Sequence, residues 1–184
     1  MSKIPVDVTG ISAWPPYQGY VVVLKEREGK RWLPIFIGAP EAHNISLLLQ
    51  GLKLVRPWTY DLFHNLLDAA GARVESITVT DLRDNTFYAE VMVRVGSKEL
   101  HGIDARPSDA IALAIKTKAP IYVNNRVLEE AGMIGEIIPN QPDASERLHE
   151  LKRQMQEAVD QEAYEEAAKI RDQIKALEEQ VRSS

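Results

Sequence analysis

The amino-acid sequence predicts an α+β protein with a duplicated unit of three strands and two helices. These units are expected to form a mostly antiparallel, curved or barrel-like sheet, followed by a C-terminal helical hairpin. Short runs of alternating apolar residues precede helical patterns in the first part of the chain. Part of that pattern recurs at a fixed offset. After Pro142 the alternation stops, and apolar residues recur at every third or fourth position.

Composition and motifs exclude several classes of protein. The chain has 184 residues, 45% hydrophobic and 27% charged, which suits one globular domain with an appendage. It contains no cysteine, which removes disulfides, thiolate metal sites and cysteine nucleophiles. It also lacks GxSxG, HExxH, GxxxxGK[ST] and GxGxxG motifs. No apolar run approaches the ~18 residues of a membrane span, so we expect a cytoplasmic protein without a membrane partner.

The net charge of -5 is unevenly distributed along the chain. Residues 1–142 carry 15 Lys and Arg against 16 Asp and Glu, whereas residues 143–184 carry 7 against 11. The main domain is therefore nearly neutral. It lacks the strong positive field of proteins that hold nucleic acid by bulk electrostatics, although this balance is compatible with a local basic patch.

The elements are predicted in chain order from periodicity and from turn residues. Strand patterns occur at Ile4-Val6-Val8, residues 20–24, Ile77-Val79 and Ile121-Tyr122-Val123. Helices are expected from Pro40 to near Gly51, from a cap at Thr59 to near Gly71, and from Pro107 to near Lys118. Residues 110–115 are apolar on every side, so the last of these helices should be the buried central one.

An internal repeat is the most informative feature of the main domain. Shifting the sequence by 67 positions aligns residues 20–49 with 87–116 without a gap, pairing Gly29 with Gly96 and Pro40 with Pro107. In each copy the glycine makes a turn between strands and the proline begins the next helix. We therefore predict duplicated units at residues 3–71 and 72–135, related by a pseudo-two-fold axis, within a domain of residues 1–139.

The strand-to-helix turns of the two units, residues 37–41 and 104–109, form the candidate active site. Helix N-termini present unpaired amides, so either turn can hold a phosphate, and Arg106 would add a bidentate clamp. Glu41, Asp104 and Asp109 would supply hard oxygen ligands for Mg²⁺ or Mn²⁺, which activates water in phosphodiesterases. These three carboxylates are the predicted catalytic and metal-binding groups, and Arg106 is a predicted phosphate-binding group.

A purely structural role explains the same turn residues. The first amides of a buried helix need acceptors, and Ser108 or Asp109 would provide them as caps. Arg106 would then pair with an aspartate, and no ligand would be involved. Carboxylates are common in first helical turns, so the pattern is compatible with both roles.

The second predicted helix follows a similar turn, in which Arg56 is a further candidate phosphate contact. Its predicted apolar face consists of Leu62, Phe63, Leu66, Leu67 and Ala70. His64, together with Asp61 and Asp68, could ligate a metal or act in acid–base catalysis. A solvated helix face explains the same spacing.

Three further residues have both a functional and a structural interpretation. His43 follows Glu41 by two residues and is a candidate general base, or an ordinary polar residue of its helix. Trp58 and Tyr60 could stack on nucleic-acid bases, or they could pack beside the proline turn.

The C-terminal region is predicted to be a helical hairpin at residues 146–184, after a linker at residues 140–145. The stretch Asn140-Gln141-Pro142-Asp143 is polar and turn-forming. Two apolar stripes at helical spacing follow it: Leu148, Leu151, Met155 and Ala158, then Ala167, Ile170, Ile174, Leu177 and Val181. Each leg has one narrow apolar stripe, which is too little for independent stability. We therefore expect the hairpin to pair with a second hairpin or a partner protein. A solvent-exposed coiled extension is the structural alternative.

Residues from about Pro5 to Ile138 resemble the bifunctional nuclease domain family. The resemblance lies in LPIFIG at 33–38, RP at 56–57, DL at 61–62, TFYA at 86–89 and especially DARPSDAIALA at 104–114. It implies an oligomeric α+β domain with a duplicated unit and attributed DNase and RNase activity.

Residues 148–177 resemble the UVR motif of the excision-repair subunits UvrB and UvrC. The matching sequence is EEAAKIRDQI at 165–174, and Tyr164 stands where phenylalanine is usual. The resemblance implies protein–protein association through a helical hairpin. The implied partner-binding residues are Tyr164, Ala167, Arg171, Asp172 and Ile174.

Two functions from different classes are compatible with these observations. The first is a cytoplasmic, homo-oligomeric nuclease that hydrolyses RNA and DNA with a divalent metal and binds a protein partner through its C-terminal hairpin. The second is a non-enzymatic regulatory or scaffolding module that oligomerises and recruits a partner.

Overall fold

A computed structural model describes residues 2–13, 19–52, 55–97 and 99–135, together with residues 151, 155, 170, 171 and 174. The chain divides into two compact units, Met1–Ile137 and Ile138–Ser184. The five described residues of the second unit are helical, and Ile174 is buried. The rest of the predicted hairpin lies outside the described residues and stays a prediction.

Eight strands and four helices make up the described part of the first unit. The strands are β1 (Lys3–Ala13), β2 (Tyr20–Glu26), β3 (Arg31–Ile37), β4 (Ala72–Arg83), β5 (Thr86–Val95), β6 (Glu99–Ala105), β7 (Ile121–Asn124) and β8 (Met133–Ile134). The helices are α1 (Ala39–Leu49), α2 (Thr59–Ala69), α3 (Pro107–Thr117) and α4 (Asn125–Ala131). Within the described parts of the chain, no helix is long and apolar enough to cross a bilayer.

The strands form one open sheet in the order β6-β5-β4-β7-β1-β2-β3-β8. Among the described strands, the β4–β7 pair is parallel and every other neighbouring pair is antiparallel. The α+β class and the mostly antiparallel sheet are therefore confirmed. The barrel-like alternative is wrong, because β7 joins two three-stranded groups side by side and leaves β6 and β8 at opposite edges.

The two three-stranded groups have the same order of elements. Strands β1, β2 and β3 lead into α1, and strands β4, β5 and β6 lead into α3. Pro40 and Pro107 lie in the first turns of these helices, as predicted. Gly29 lies between β2 and β3, and Gly96 lies between β5 and β6 with a φ of 59°. A duplication would produce this order, and common ancestry of the two groups stays a prediction.

Helix α3 is the buried central helix that its apolar sequence predicts. Residues 110–114 are all buried, and the helix packs against α1, α2, β4 and β5. Ile111 is fully buried, and a side chain of this size contributes roughly 1.5–3 kcal/mol when it leaves water. This packing fixes the position of the turn that precedes α3.

Helix α2 differs from the sequence prediction at its start and along its apolar face. Trp58, rather than Thr59, occupies the N-cap position, and its backbone N–H donates to the Asp61 carboxylate at 2.8 Å. No residue of α2 is buried. The main contacts of α2 are with α3 and β4. They are made by a narrow strip of the helix that includes Tyr60 and Leu67, so most of the predicted apolar face stays exposed.

Candidate active site

The two predicted strand-to-helix turns meet because α1 packs against α3. Arg106, the residue before α3, donates from Nη1 to Glu41 Oε1 in the first turn of α1 at 3.2 Å. Its Nε donates to Asp109 Oδ2 at 2.8 Å. One guanidinium therefore joins carboxylates from both turns, and these hydrogen bonds raise the pKa of Arg106, chiefly through Asp109.

The start of α3 has no side-chain cap. Arg106 is the N-cap residue, with extended backbone, and its carbonyl accepts the Ala110 N–H at 3.0 Å. The expectation that Ser108 or Asp109 caps the helix is wrong, because Ser108 is buried inside the first turn and Asp109 directs its carboxylate to other side chains. The pairing of Arg106 with an aspartate, which was part of the same structural interpretation, is confirmed.

Tyr60 is a member of this site that the sequence suggested only as a stacking or packing residue. Its hydroxyl donates to Asp109 Oδ1 at 3.0 Å, across 49 positions of the sequence. Burial, and then the negative charge of Asp109, raise the pKa of Tyr60 well above its ordinary value. The hydroxyl therefore remains a proton donor at neutral pH. No sequence pattern signals this contact, because it depends on how α2 crosses α3.

Asp104 lies at the end of β6, two residues before Arg106. It pairs across the strands with Glu90, is exposed, and lines the same cavity as Arg106 and Asp109. No hydrogen bond or ion pair joins its carboxylate to another described residue. Asp104 is thus placed where a carboxylate can contact a bound molecule.

The predicted three-carboxylate metal site is not assembled in the described structure. No group of three or more His, Cys, Asp or Glu side chains in the described ranges is close enough to hold a metal ion. The guanidinium of Arg106 binds Glu41 and Asp109, which are two of the three proposed ligands. These contacts satisfy the carboxylates without a cation, so the residues as arranged do not fit a metal, and a metal requirement stays a prediction.

His43 and Arg56 lie outside this group of side chains. The ring of His43 packs near the ring of Trp58, with centroids 5.9 Å apart. Residues two apart on a helix do not face each other, so His43 points away from Glu41. Arg56 is exposed and does not line the cavity beside Arg106. Their proposed roles as general base and phosphate contact remain predictions without support from these positions.

The polar residues of α2 do not combine into a catalytic group. Asp61 forms an ion pair with Lys116 of α3, and Lys116 together with the Trp58 N–H lowers the pKa of Asp61. His64 Nε2 lies 3.6 Å from Oδ2 of Asp68, which is one helical turn further along α2. Both side chains are partly exposed. Asp61 thus serves to attach α2 to α3, while His64 and Asp68 lie on a solvated surface.

A cavity of about 570 Å³ lies between α2, α3 and strands β5 and β6. Its lining is mostly apolar, and its polar members are Thr59, Tyr60, Asp104, Arg106 and Asp109. Phe63 and Ile103 line it and are each about half exposed, at 53% and 50%, so the cavity opens to solvent. A concave apolar site with a few convergent polar groups is the usual form of a ligand site.

Two of the predicted partner-binding residues fall among the described residues. Arg171 and Ile174 are helical, with Arg171 exposed and Ile174 buried. Tyr164, Ala167 and Asp172 lie outside the described residues, and their roles stay predictions.

Comparison with known protein families gives two matches. Residues 22–136 match the sequence profile of a family described as the bifunctional nuclease domain. Residues 145–180 match the UvrB/UvrC motif. The two matched segments follow one another in the chain.

Several relatives match over most of the chain. The uncharacterized protein Rv1829 of Mycobacterium tuberculosis is 39% identical over 138 residues, which are 75% of this chain and 80% of that protein. Bifunctional nuclease 2 of Arabidopsis thaliana is 30% identical over 177 residues, and bifunctional nuclease 1 of Oryza sativa subsp. indica is 25% identical over 178. Matches to the plant proteins cover 83% and 84% of this chain but 54% of each relative, so the chain spans about half of their length.

Proposed function

The chain belongs to the bifunctional nuclease domain family, and we propose that it hydrolyses phosphodiester bonds of RNA and DNA at the cavity between α2 and α3. One observation carries the proposal. Arg106 places a side chain that is 67% exposed beside an apolar cavity, next to the first-turn amides of α3. A guanidinium and a helix N-terminus are two groups that proteins use to hold phosphate.

Arg106 and the start of α3 would bind the scissile phosphate. Two of the five guanidinium N–H groups are used by Asp109 and Glu41, so three remain for phosphate oxygens. The N–H groups of Ser108 and Asp109 have no acceptor within the helix. They would add donors beside the guanidinium and stabilise the charge that develops on the phosphoryl oxygens.

Asp104 is the residue that we assign to the attacking water. Both oxygens of Asp109 already accept hydrogen bonds, which suits that residue to positioning Arg106. Asp104 has no such partner among the described residues and can accept a proton from water as the water oxygen bonds to phosphorus. The P–O bond to the leaving oxygen breaks in the same step, and that oxygen takes a proton from solvent.

The charge of the site sets a condition on this activity. The site carries three carboxylates and one guanidinium, so its net charge is negative. A negative site repels a polyanion unless a cation or a rearranged ion pair offsets the excess negative charge. The described side chains as arranged do not form a metal centre. Cleavage measured first with chelator and then with added Mg²⁺ or Mn²⁺ tests whether a cation enters together with the substrate.

The decisive experiment measures cleavage of labelled RNA and single-stranded DNA by the full chain and by Asp104→Asn. We expect the variant to cleave at least about 100-fold more slowly, the usual minimum contribution of a general base. Asp84→Asn is the matched control, because Asp84 is exposed in the β4–β5 turn, where asparagine also adopts its positive φ. The control should retain full activity.

The same comparison identifies contaminating nuclease. A contaminant would copurify equally with the parent and both variants, so identical rates in all three would contradict the proposed site. Each protein should be purified in parallel and should show the same thermal unfolding midpoint before its rate is compared.

A second candidate function is a non-enzymatic regulatory or scaffolding module. The observation that favours it is the contact of Arg106 with both turns, which also serves to tie α1 to α3 without a ligand. Absence of cleavage by a folded parent protein, with and without divalent metal, would favour this function over the nuclease.

We also propose that the chain forms homo-oligomers and binds a protein partner through residues 146–184. The match of residues 145–180 to the UvrB/UvrC motif supports the partner-binding part of this proposal. A cytoplasmic location stays a prediction from the sequence.

A further inference from the structure

We propose that the cavity beneath α2 binds one unstacked nucleobase of the substrate while Arg106 holds the adjoining phosphate. This inference rests on the proposed nuclease function and names the part of a nucleotide that the cavity recognises. It assigns Phe63, Ile103 and Leu113, which the sequence did not identify as functional, to substrate binding.

The walls of the cavity suit a flat apolar ring. Val91 and Val93 of β5 and Ile103 of β6 line it from the sheet, and Leu113 and Phe63 line it from the helices. The volume of about 570 Å³ lies within the range of ~300–1,000 Å³ typical of small-molecule sites. A nucleobase bound here would replace water against apolar walls, which favours binding.

An aromatic side chain at the opening strengthens the case for a base. Phe63 lines the cavity and yet is half-exposed, so its ring is available for stacking. Stacking on aromatic side chains is the general means by which proteins bind bases without reading sequence. Leu62, its neighbour on α2, is equally exposed at 55% but does not line the cavity.

The charged residues that line the cavity distinguish a nucleotide from a purely apolar ligand. Arg106 and Asp104 line the same cavity as the apolar walls. A base in the cavity would therefore place its phosphate next to a guanidinium. An uncharged apolar ligand would give no acceptor to the three guanidinium N–H groups of Arg106 that Asp109 and Glu41 do not use.

A binding experiment tests the pocket directly. Adenosine 5′-monophosphate and ribose 5-phosphate carry the same phosphate and sugar, and only the first has a base. By calorimetry on the full chain, we expect the nucleotide to bind at least about tenfold more tightly. Phe63→Ala should lose most of this advantage and Phe63→Tyr should restore it, whereas Leu62→Ala should keep it. Equal affinity for the two probes, or equal losses in Phe63→Ala and Leu62→Ala, would overturn the inference.

A cleavage experiment separates this inference from the proposed function. An oligonucleotide with one cleavable site is compared with the same strand carrying an abasic residue at each position beside that site. We expect the abasic strand to be cut at least about tenfold more slowly. Equal cutting of both strands would refute the base pocket and leave the nuclease function intact. A base-dependent affinity without any cleavage would support the pocket and refute the nuclease function.

Discussion

Asp109 accepts hydrogen bonds on both carboxylate oxygens, one from Arg106 and one from Tyr60. Through Asp109, these contacts connect Arg106, which precedes α3, to Tyr60 in the first turn of α2. Arg106 continues the chain of contacts to Glu41 in α1. Three side chains, one from each of three helices, therefore determine where the Arg106 guanidinium lies, and Asp109 is a positioning residue in this arrangement.

The first prediction concerns the Tyr60 hydroxyl. Tyr60→Phe removes the donor to Asp109 and should lower the free energy of unfolding by about 1 kcal/mol, measured by urea denaturation. Tyr88→Phe is the control, because Tyr88 is exposed and its ring contact with Arg83 does not require the hydroxyl. Equal losses in both variants would contradict a specific role for the Tyr60–Asp109 hydrogen bond.

The second prediction is the pH dependence of the same contact. Burial and Asp109 raise the pKa of Tyr60 in the folded state above the value of about 10 for an unfolded tyrosine. The stabilising contribution is therefore complete below pH ~10 and is lost as the pH rises through the folded-state value. Between pH 9 and about 11, the parent should lose more stability than Tyr60→Phe. Parallel curves for the two proteins would contradict this assignment.

Helix α2 is held by a few polar contacts rather than by a buried face. Asp61 accepts the Trp58 N–H at the start of the helix and forms an ion pair with Lys116. Leu62, Phe63 and Leu66 remain mostly exposed. An element with little buried apolar surface opens at lower free energy than the core, so α2 is the wall of the cavity most able to move.

The third prediction tests the attachment of α2. Asp61→Ala should lower the stability by roughly 0.5–1 kcal/mol, because the carboxylate is partly exposed and the ion pair is screened. Amide hydrogen exchange should accelerate throughout α2 and leave α3 unchanged. Asp68→Ala, at the exposed end of the same helix, should do neither.

The pH dependence of Asp61 has the opposite sign to that of Tyr60. Lys116 and the Trp58 N–H lower the pKa of Asp61, so its contribution is present above the unfolded value of about 4 and is lost as the pH falls below it. The difference in stability between the parent and Asp61→Ala should therefore shrink on acidification below pH ~4. A difference that stays constant to low pH would show that the carboxylate charge is not involved.

The whole chain consists of two compact units, of which the first contains the candidate active site. Its sheet is open, with β6 and β8 at the edges. The second unit contains the whole UvrB/UvrC match at residues 145–180. Catalysis and partner binding are thus expected to be separable in this protein.

The fourth prediction is that deleting residues 143–184 leaves the first unit folded. Its thermal unfolding transition should be preserved, whereas the assembly size measured by light scattering, or capture of a partner, should change. Substituting Glu179 with Gln, within the second unit, is a control that keeps the chain length. Loss of the unfolding transition would contradict the predicted domain boundary.

The sequence by itself determined the α+β class, the starts of α1 and α3, and the burial of α3. These features follow from local properties: alternation of apolar residues, proline in the first helical turn, and an apolar sequence on every side of one helix. The same local reading identified Arg106 and the carboxylates around it.

Only the tertiary structure decided which of these residues meet. The packing of α1 brings Glu41 to Arg106 across 65 positions of the sequence, and the packing of α2 brings Tyr60 to Asp109. The position of β7 between the two three-stranded groups leaves the sheet open. The exposed apolar residues of α2 show the same limit, because periodicity marks an apolar face without indicating what covers it. Contacts between distant segments are set by the packing of whole elements, which no short stretch of sequence specifies.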